Sequence, residues 1–343
     1  MIVALEDSKL LINESETSEL SIDQAMYMGP TPKSWEPKHA LDIFIDWDAK
    51  YKEQYKQAFS PFVFAKNCSA LYQSARDNGV NKTKQRQSEY LDLVAGQYIE
   101  QKDGGLFVRN EFDFQIFWRK VPNPFYGAFM NAYTAYGYMK LYKLNGAEKH
   151  KEIARELLES IFKKIGPIEL ASRDDNGYLW LLEYAFFPGD SEAEFTELGA
   201  IVNSEGATGI RVYNGHIHTL LAMLKFKILF SDGLFDSHIR ESLETIKANF
   251  QRQINSDFFS YAVEAREMPD YGQLRAVNLM RALSKIFPCN EVKAIFEQNE
   301  SFYNKNILGR EKEVYNAQKI KAKSIYCGSE SQIRQPKNIT DKY

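Results

Sequence analysis

Apolar side chains return at helical spacing along most of the chain. Cys68, Leu71, Tyr72 and Ala75 fall at i, i+3, i+4 and i+7, and Leu91, Val94, Ala95 and Tyr98 repeat the set. Ala154, Leu157, Leu158, Ile161 and Ile165 carry it to i+11, as do Ile217, Leu220, Leu221, Leu224 and Ile228, and again Ala276, Leu279, Met280, Leu283 and Phe287. Ile239, Leu243, Ile246 and Phe250 keep a sparser version. Each pattern predicts an amphipathic helix with one buried face. The stretch 128–142 has scarcely any charge and predicts a helix buried on most sides. Turn signals separate these segments: Asp77-Asn78-Gly79, Leu144-Asn145-Gly146, Ser231-Asp232-Gly233 and Phe287-Pro288.

Buried helices alternate with more polar ones between residues 68 and 300, as in helical hairpins packed about an axis. The expected fold is mainly α: an incomplete α/α toroid of helical hairpins with short β-hairpin insertions. The insertions are residues 101–123 and 168–190, where alternating stretches and glycine turns replace the helical period. Both fall between helices, where connecting loops carry binding groups. Residues 1–60 read as an N-terminal arm and first helix, 61–310 as the toroid, and 311–343 as a polar, lysine-rich tail.

Composition removes several classes of function. Forty-three Lys and Arg against 46 Asp and Glu give a net charge of −3, with no basic excess to hold a phosphate backbone. No apolar run reaches the roughly 20 residues that span a bilayer. The start turns acidic at Glu6-Asp7, too early for a signal peptide, so a cytoplasmic protein is expected. The 3 cysteines are scattered and form no CxxC pair, and the 5 histidines form no HExxH pattern, so no metal is expected. No GxGxxG loop suggests a nicotinamide site. The unusual content is aromatic: 20 Tyr, 23 Phe and 4 Trp, residue types that stack on sugar faces as well as fill cores.

Three segments set polar groups among apolar ones. In Trp180-Leu181-Leu182-Glu183-Tyr184 a single acid lies between large side chains; buried, it would titrate near neutrality, and at a sheet edge it would simply face water. In Gly209 to His218 a glycine-rich loop enters a helix, and Arg211 with the helix start could hold a carboxylate. His216 and His218 are two apart and cannot share a helix face, which favours core or capping roles. In Phe258 to Arg275 a strand-like piece passes through Pro269 into a helix, where Tyr271 and Arg275 at i, i+4 would share a face. An Arg beside a Tyr stabilises its phenolate, as a tyrosine base requires.

Four blocks in order resemble the C-terminal domain of the heparin/heparan sulfate D-glucuronyl C5-epimerases. They are Phe125-Tyr126-Gly127-Ala128, Trp180 to Ala185 around Glu183-Tyr184, Val212-Tyr213-Asn214-Gly215-His216, and Asp270-Tyr271-Gly272. The resemblance covers roughly residues 120–290. It implies proton transfer by Glu183, Tyr184 and Tyr271, and substrate binding by Tyr126, Asn131, Arg211, Asn214, Tyr261, Arg266 and Arg275. It implies no cofactor, and as partner an acidic, glucuronate-containing polysaccharide of the heparosan type; dimerisation is left open. The chain departs from the pattern at Gly272 and Arg275, where the family has His, at Ala185, where it has Pro, and at Glu264, where it has Arg. A uronate lyase would use the same proton abstraction, a hydrolase could pair Glu183 with Asp174 or Asp175, and a non-catalytic sugar-binding protein is the alternative outside enzymes.

Overall fold

A computed structural model of the chain describes residues 22–26, 60–111, 114–116, 119–188, 195, 200–263, 269–270, 272–314 and 316–317. Helices dominate, and small antiparallel sheets join them. Helix α1 (Pro61–Asn78) starts where Ser60 Oγ accepts the Val63 N–H and Pro61 presets the first turn, and it stops at Gly79 with φ 73°. Asn81 caps α2 (Lys82–Gly96), and the Lys84 ammonium closes the turn between them by donating to the Ser74 and Gly79 carbonyls.

Helix α3 (Ala128–Asn145) is buried almost all round, as its lack of charge predicts, and ends at left-handed Gly146. It packs against α1, against α4 (Glu148–Glu159) and against α5 (Tyr213–Phe230), the second helix buried nearly all round. Helix α4 buries one face only, through His150, Ala154, Leu157 and Leu158. Helix α6 (Asp236–Asn249) does the same on α5 through Ile239, Leu243 and Ile246. Helices α7 (Gln273–Ile286) and α8 (Asn290–Phe302) form the last hairpin. Three contacts give the direction of the inner pair. Gly127 and Gly215 meet the same glutamate, Tyr133 meets His218, and Lys140 and Lys225 meet the same aspartate. Helices α3 and α5 therefore run parallel.

Between helices, β1 (Ile99–Lys102) pairs with β2 (Gly105–Val108), and β3 (Phe114–Ile116) with β4 (Arg119–Val121). Beyond α4, β5 (Lys164–Ile165) pairs with β6 (Ile168–Glu169), and β7 (Ala171–Arg173) with β8 (Leu179–Leu181). Strand β9 (Tyr184–Phe186) pairs with β11 (Thr208–Ile210), and β10 (Ala200–Val202) adds to its other side. Single bridges extend this set: Tyr126 to Ala185, Val212 to Ala262, and Ser260 to Pro269. They gather pieces of five segments at the N-terminal ends of α3 and α5.

Some helical periods run past their helices. Tyr98 lies beyond the end of α2, Ile161 lies in a 3-10 turn, and Ile165 lies in β5. Ser160 explains the second case: its Oγ bonds back to the Glu156 carbonyl and accepts the Leu106 N–H, which ties the helix end to β2. Most core side chains belong to one cluster, and a smaller one (Phe258, Phe259, Ala276, Val277, Tyr303, Ile307, Val314) sits under α7. Of the expected N-terminal arm, residues 22–26 are helical and bury Ile22 and Met26. Of the expected tail, Val314 is buried in the smaller cluster.

Candidate active site

Glu183 lies in the two-residue link between β8 and β9, where the chain leaves one sheet for another. Its N–H donates to the Ile210 carbonyl, and the Ala128 N–H donates to the Leu182 carbonyl. The link is wedged between the starts of the inner helices. A Cβ at Gly127 would lie 2.0 Å from the Glu183 carbonyl oxygen, and one at Gly215 would lie 2.4 Å from Glu183 Oε2. Glycine at both positions is thus a condition of the site rather than of any turn.

The Glu183 side chain is buried, which decides between the two sequence readings of it. Tyr261 Oη lies 3.1 Å from Glu183 Oε1 and 3.2 Å from Tyr184 Oη. Oε2 accepts no hydrogen bond among the described residues. Burial pushes the carboxyl up from an ordinary 4.5 to about 7, against the hydrogen bonds of Tyr184 and Tyr261 and the Arg275 charge, which pull it down. Near neutrality the group is divided between acid and carboxylate, with phenols in hydrogen-bond reach.

Behind it stands an ion pair. Asp270 is fully buried; its Oδ1 accepts from Arg275 Nη2 and from the Gly272 N–H, each at 2.7 Å. Asn214 Nδ2 reaches Asp270 Oδ2 at 3.4 Å. Gln273 stitches this corner together: its side chain takes the Phe259 N–H and donates to the Phe259 and Asp270 carbonyls. Helix α7 begins at Gln273, so Arg275 lies in its first turn.

Of the residues expected in one site, the structure brings together Glu183, Tyr184, Tyr261, Asn214 and Arg275. Tyr271 and Arg266 lie outside the described residues. Three others are turned elsewhere. Arg211 lies over the Trp180 ring and reaches Asp174 Oδ2 at 4.0 Å, an acceptor that Trp180 Nε1 also uses at 3.1 Å. Tyr126 lends its backbone to β9, but its hydroxyl donates to Glu100 at 2.6 Å, and burial and that carboxylate push the phenol above its ordinary value. Asn131 is fully buried and spent on backbone: it accepts the Val108 N–H and donates to the Leu106 and Leu157 carbonyls. Its three bonds clamp β2 and α4 to α3, which gives it a part in holding the fold.

Asp270 was readable in the sequence only as part of a motif, and its role as Arg275's partner needed the fold. The two histidines are core residues. His216 Nδ1 accepts the Leu181 N–H at 3.2 Å and Nε2 lies 3.1 Å from the Ser242 carbonyl; burial lowers the ring to about 4. His218 Nδ1 lies 3.1 Å from Tyr133 Oη, and burial, then the Arg275 charge, keeps the ring neutral. Among the described residues no three His, Cys, Asp or Glu side chains converge as metal ligands, and no helix is long and apolar enough to cross a membrane. A crevice beside the link, lined by Glu169, Ser172, Leu182, Asn203 and Thr208, encloses about 10 Å³, the room of one water.

No protein-family model matches the chain, and no curated protein matches it at a significant level.

Proposed function

We propose that the chain is a D-glucuronyl C5-epimerase, acting on glucuronate within an acidic polysaccharide of the heparosan type, with its helical hairpins arranged as an incomplete α/α toroid. The observation that carries the reading is the buried carboxyl of Glu183, pushed to about 7, with the Tyr261 phenol at 3.1 Å and the Tyr184 phenol, 3.2 Å from that of Tyr261, in the same cluster. The parallel inner helices α3 and α5, each flanked by helices with one buried face, support the toroid arrangement.

The proton at C5 lies α to a carboxylate, and removing it builds negative charge beside an existing one. The reaction needs a group near neutrality to take the proton, a second to return one on the other face, and cations to offset the charge. Glu183 meets the first requirement, and Tyr261 and Tyr184 extend its reach by sharing phenolic protons. The Arg275 charge, held by Asp270, meets the third. By the resemblance, Tyr271 is a further proton-transfer group. A proton leaves and a proton returns, so the reaction calls for no redox cofactor.

The test is incubation of the whole chain with heparosan-type polymer in D2O, followed by NMR. Deuterium at C5 with iduronate signals is expected from wild type and lost in Tyr261→Phe and Glu183→Gln. An unsaturated uronate would make the protein a lyase, new reducing ends a hydrolase, and an unchanged polymer would overturn the enzymatic reading.

A further inference from the structure

The far ends of the inner helices hold a second polar cluster that the proposed reaction does not use. Lys140 on α3 and Lys225 on α5 are 3% and 0% exposed, an unusual state for lysine. Tyr136 lies one turn before Lys140, on the same face of α3. Into this corner the segment 22–26 brings one carboxylate. Asp23 Oδ1 lies 2.9 Å from Lys225 Nζ and accepts the Tyr136 hydroxyl at 2.7 Å; Oδ2 lies 2.7 Å from Lys140 Nζ. A second anchor holds the same segment, where the Tyr133 hydroxyl donates to the Met26 carbonyl at 3.0 Å.

We propose that Lys140, Lys225 and Tyr136 form a carboxylate-binding site built by the inner helix pair, with Asp23 as its resident ligand and a small carboxylate anion as its ligand when Asp23 is removed. The three donors come from α3 and α5, two helices that pack directly on each other. The donors divide between both oxygens of the ligand, which suits a two-oxygen anion better than a halide. The Lys140 side chain also lies over the Tyr72 and Tyr136 rings, 5.4 and 5.0 Å from their centroids, which fixes the ammonium further. Burial alone would raise the Asp23 carboxyl, but the two lysine charges and the Lys140 and Tyr136 hydrogen bonds outweigh it and hold the group at about 2. The opposite effect falls on Lys140, which burial and the nearby Lys225 and Lys143 charges lower to about 8 despite Asp23. The ligand is held firmly by both lysines.

The site stands apart from the proposed activity, and its test reads stability. Asp23→Ala is expected to lower the Tm of the full chain by about 5–10 °C, the usual effect of unpairing a buried charge in a domain of this size. Formate at tens of millimolar is then expected to restore at least half of the loss in a saturable way. Sodium chloride at equal ionic strength is expected to restore none of it, and wild type, its site filled, to gain no more from formate than from chloride. Equal responses to formate and chloride in Asp23→Ala would overturn the proposal, as would an Asp23→Ala chain as stable as wild type. Should Asp23→Ala give no folded protein, Asp23→Asn and Lys140→Met decide the matter. Lys140→Met is expected to lower the Tm of wild type but to raise that of Asp23→Asn; additive losses would sink the idea.

Discussion

Glu183 sits where burial and hydrogen bonding oppose each other, and burial wins. The sign follows from the shift. Between pH 4.5 and about 7 the folded chain keeps a proton on Glu183 that the unfolded chain gives up, so the group lowers stability as pH rises through that window, by about 3 kcal/mol in total. Glutamine has the same shape and no charge to bury. Glu183→Gln is therefore expected to match wild type at pH 5, to exceed it at pH 8 by about 1–3 kcal/mol in urea unfolding, and to lose roughly 10²–10⁴-fold in activity. The comparison between variants matters, because His216 works the other way. With its ring lowered to about 4, it adds stability as pH rises from 4 to 6.5, and it does so equally in both proteins. An unchanged difference between pH 5 and 8 would mean that Glu183 is charged throughout. At this scale the sequence singled out Glu183 by its large apolar and aromatic neighbours, but it left burial and a sheet edge both open, and the fold decides for burial. It was uninformative about Arg211 and Tyr126, whose partners Asp174 and Glu100 come from distant segments.

The start of α5 shows how an element can be ruled by one contact. Glycine to alanine inside a helix ordinarily gains up to about 1 kcal/mol. At Gly215 the added methyl would meet Glu183 Oε2 at 2.4 Å and its Cβ at 2.7 Å, and overpacking of that kind costs about 1–3 kcal/mol. The clash outweighs the propensity, so Gly215→Ala is expected to be less stable than wild type and inactive. Gly96→Ala, at the end of α2 with nothing among the described residues within 4 Å of the new methyl, is expected to be neutral or slightly stabilising. Thermal unfolding of the two variants side by side tests the argument, and a stable, active Gly215→Ala would refute it. The helices themselves were legible, because an apolar stripe at helical spacing suits neither a strand nor a loop. Their ends were not. Ile161 and Ile165 keep the helical period while lying in a 3-10 turn and a strand, since periodicity records which side chains are buried and a side-chain bond from Ser160 decides where the helix stops.

On the scale of the molecule the described residues form two cores, and the smaller one carries the half of the site that holds Arg275. Ile307, fully buried among Phe258, Phe259, Val277 and Tyr303, is its keystone. Ile307→Ala is expected to cost about 2–4 kcal/mol and to raise amide hydrogen exchange in 258–262 and 273–283 well before any change in 128–145. Uniform loss of protection would show the two clusters to be one cooperative unit. The sequence revealed a mainly helical chain with hairpin insertions, because composition and period agree on it. How the last hairpin packs was hidden, because the smaller core draws on residues far apart in the chain. The parallel course of α3 and α5 has one more consequence. In an antiparallel bundle the peptide dipoles of neighbouring helices cancel, whereas in these two 18-residue helices they add. The molecule thus has an electrical polarity along its inner axis. Its positive pole lies at the link that carries Glu183, and its negative pole lies about 27 Å away, a little over one turn past the buried Lys140 and Lys225.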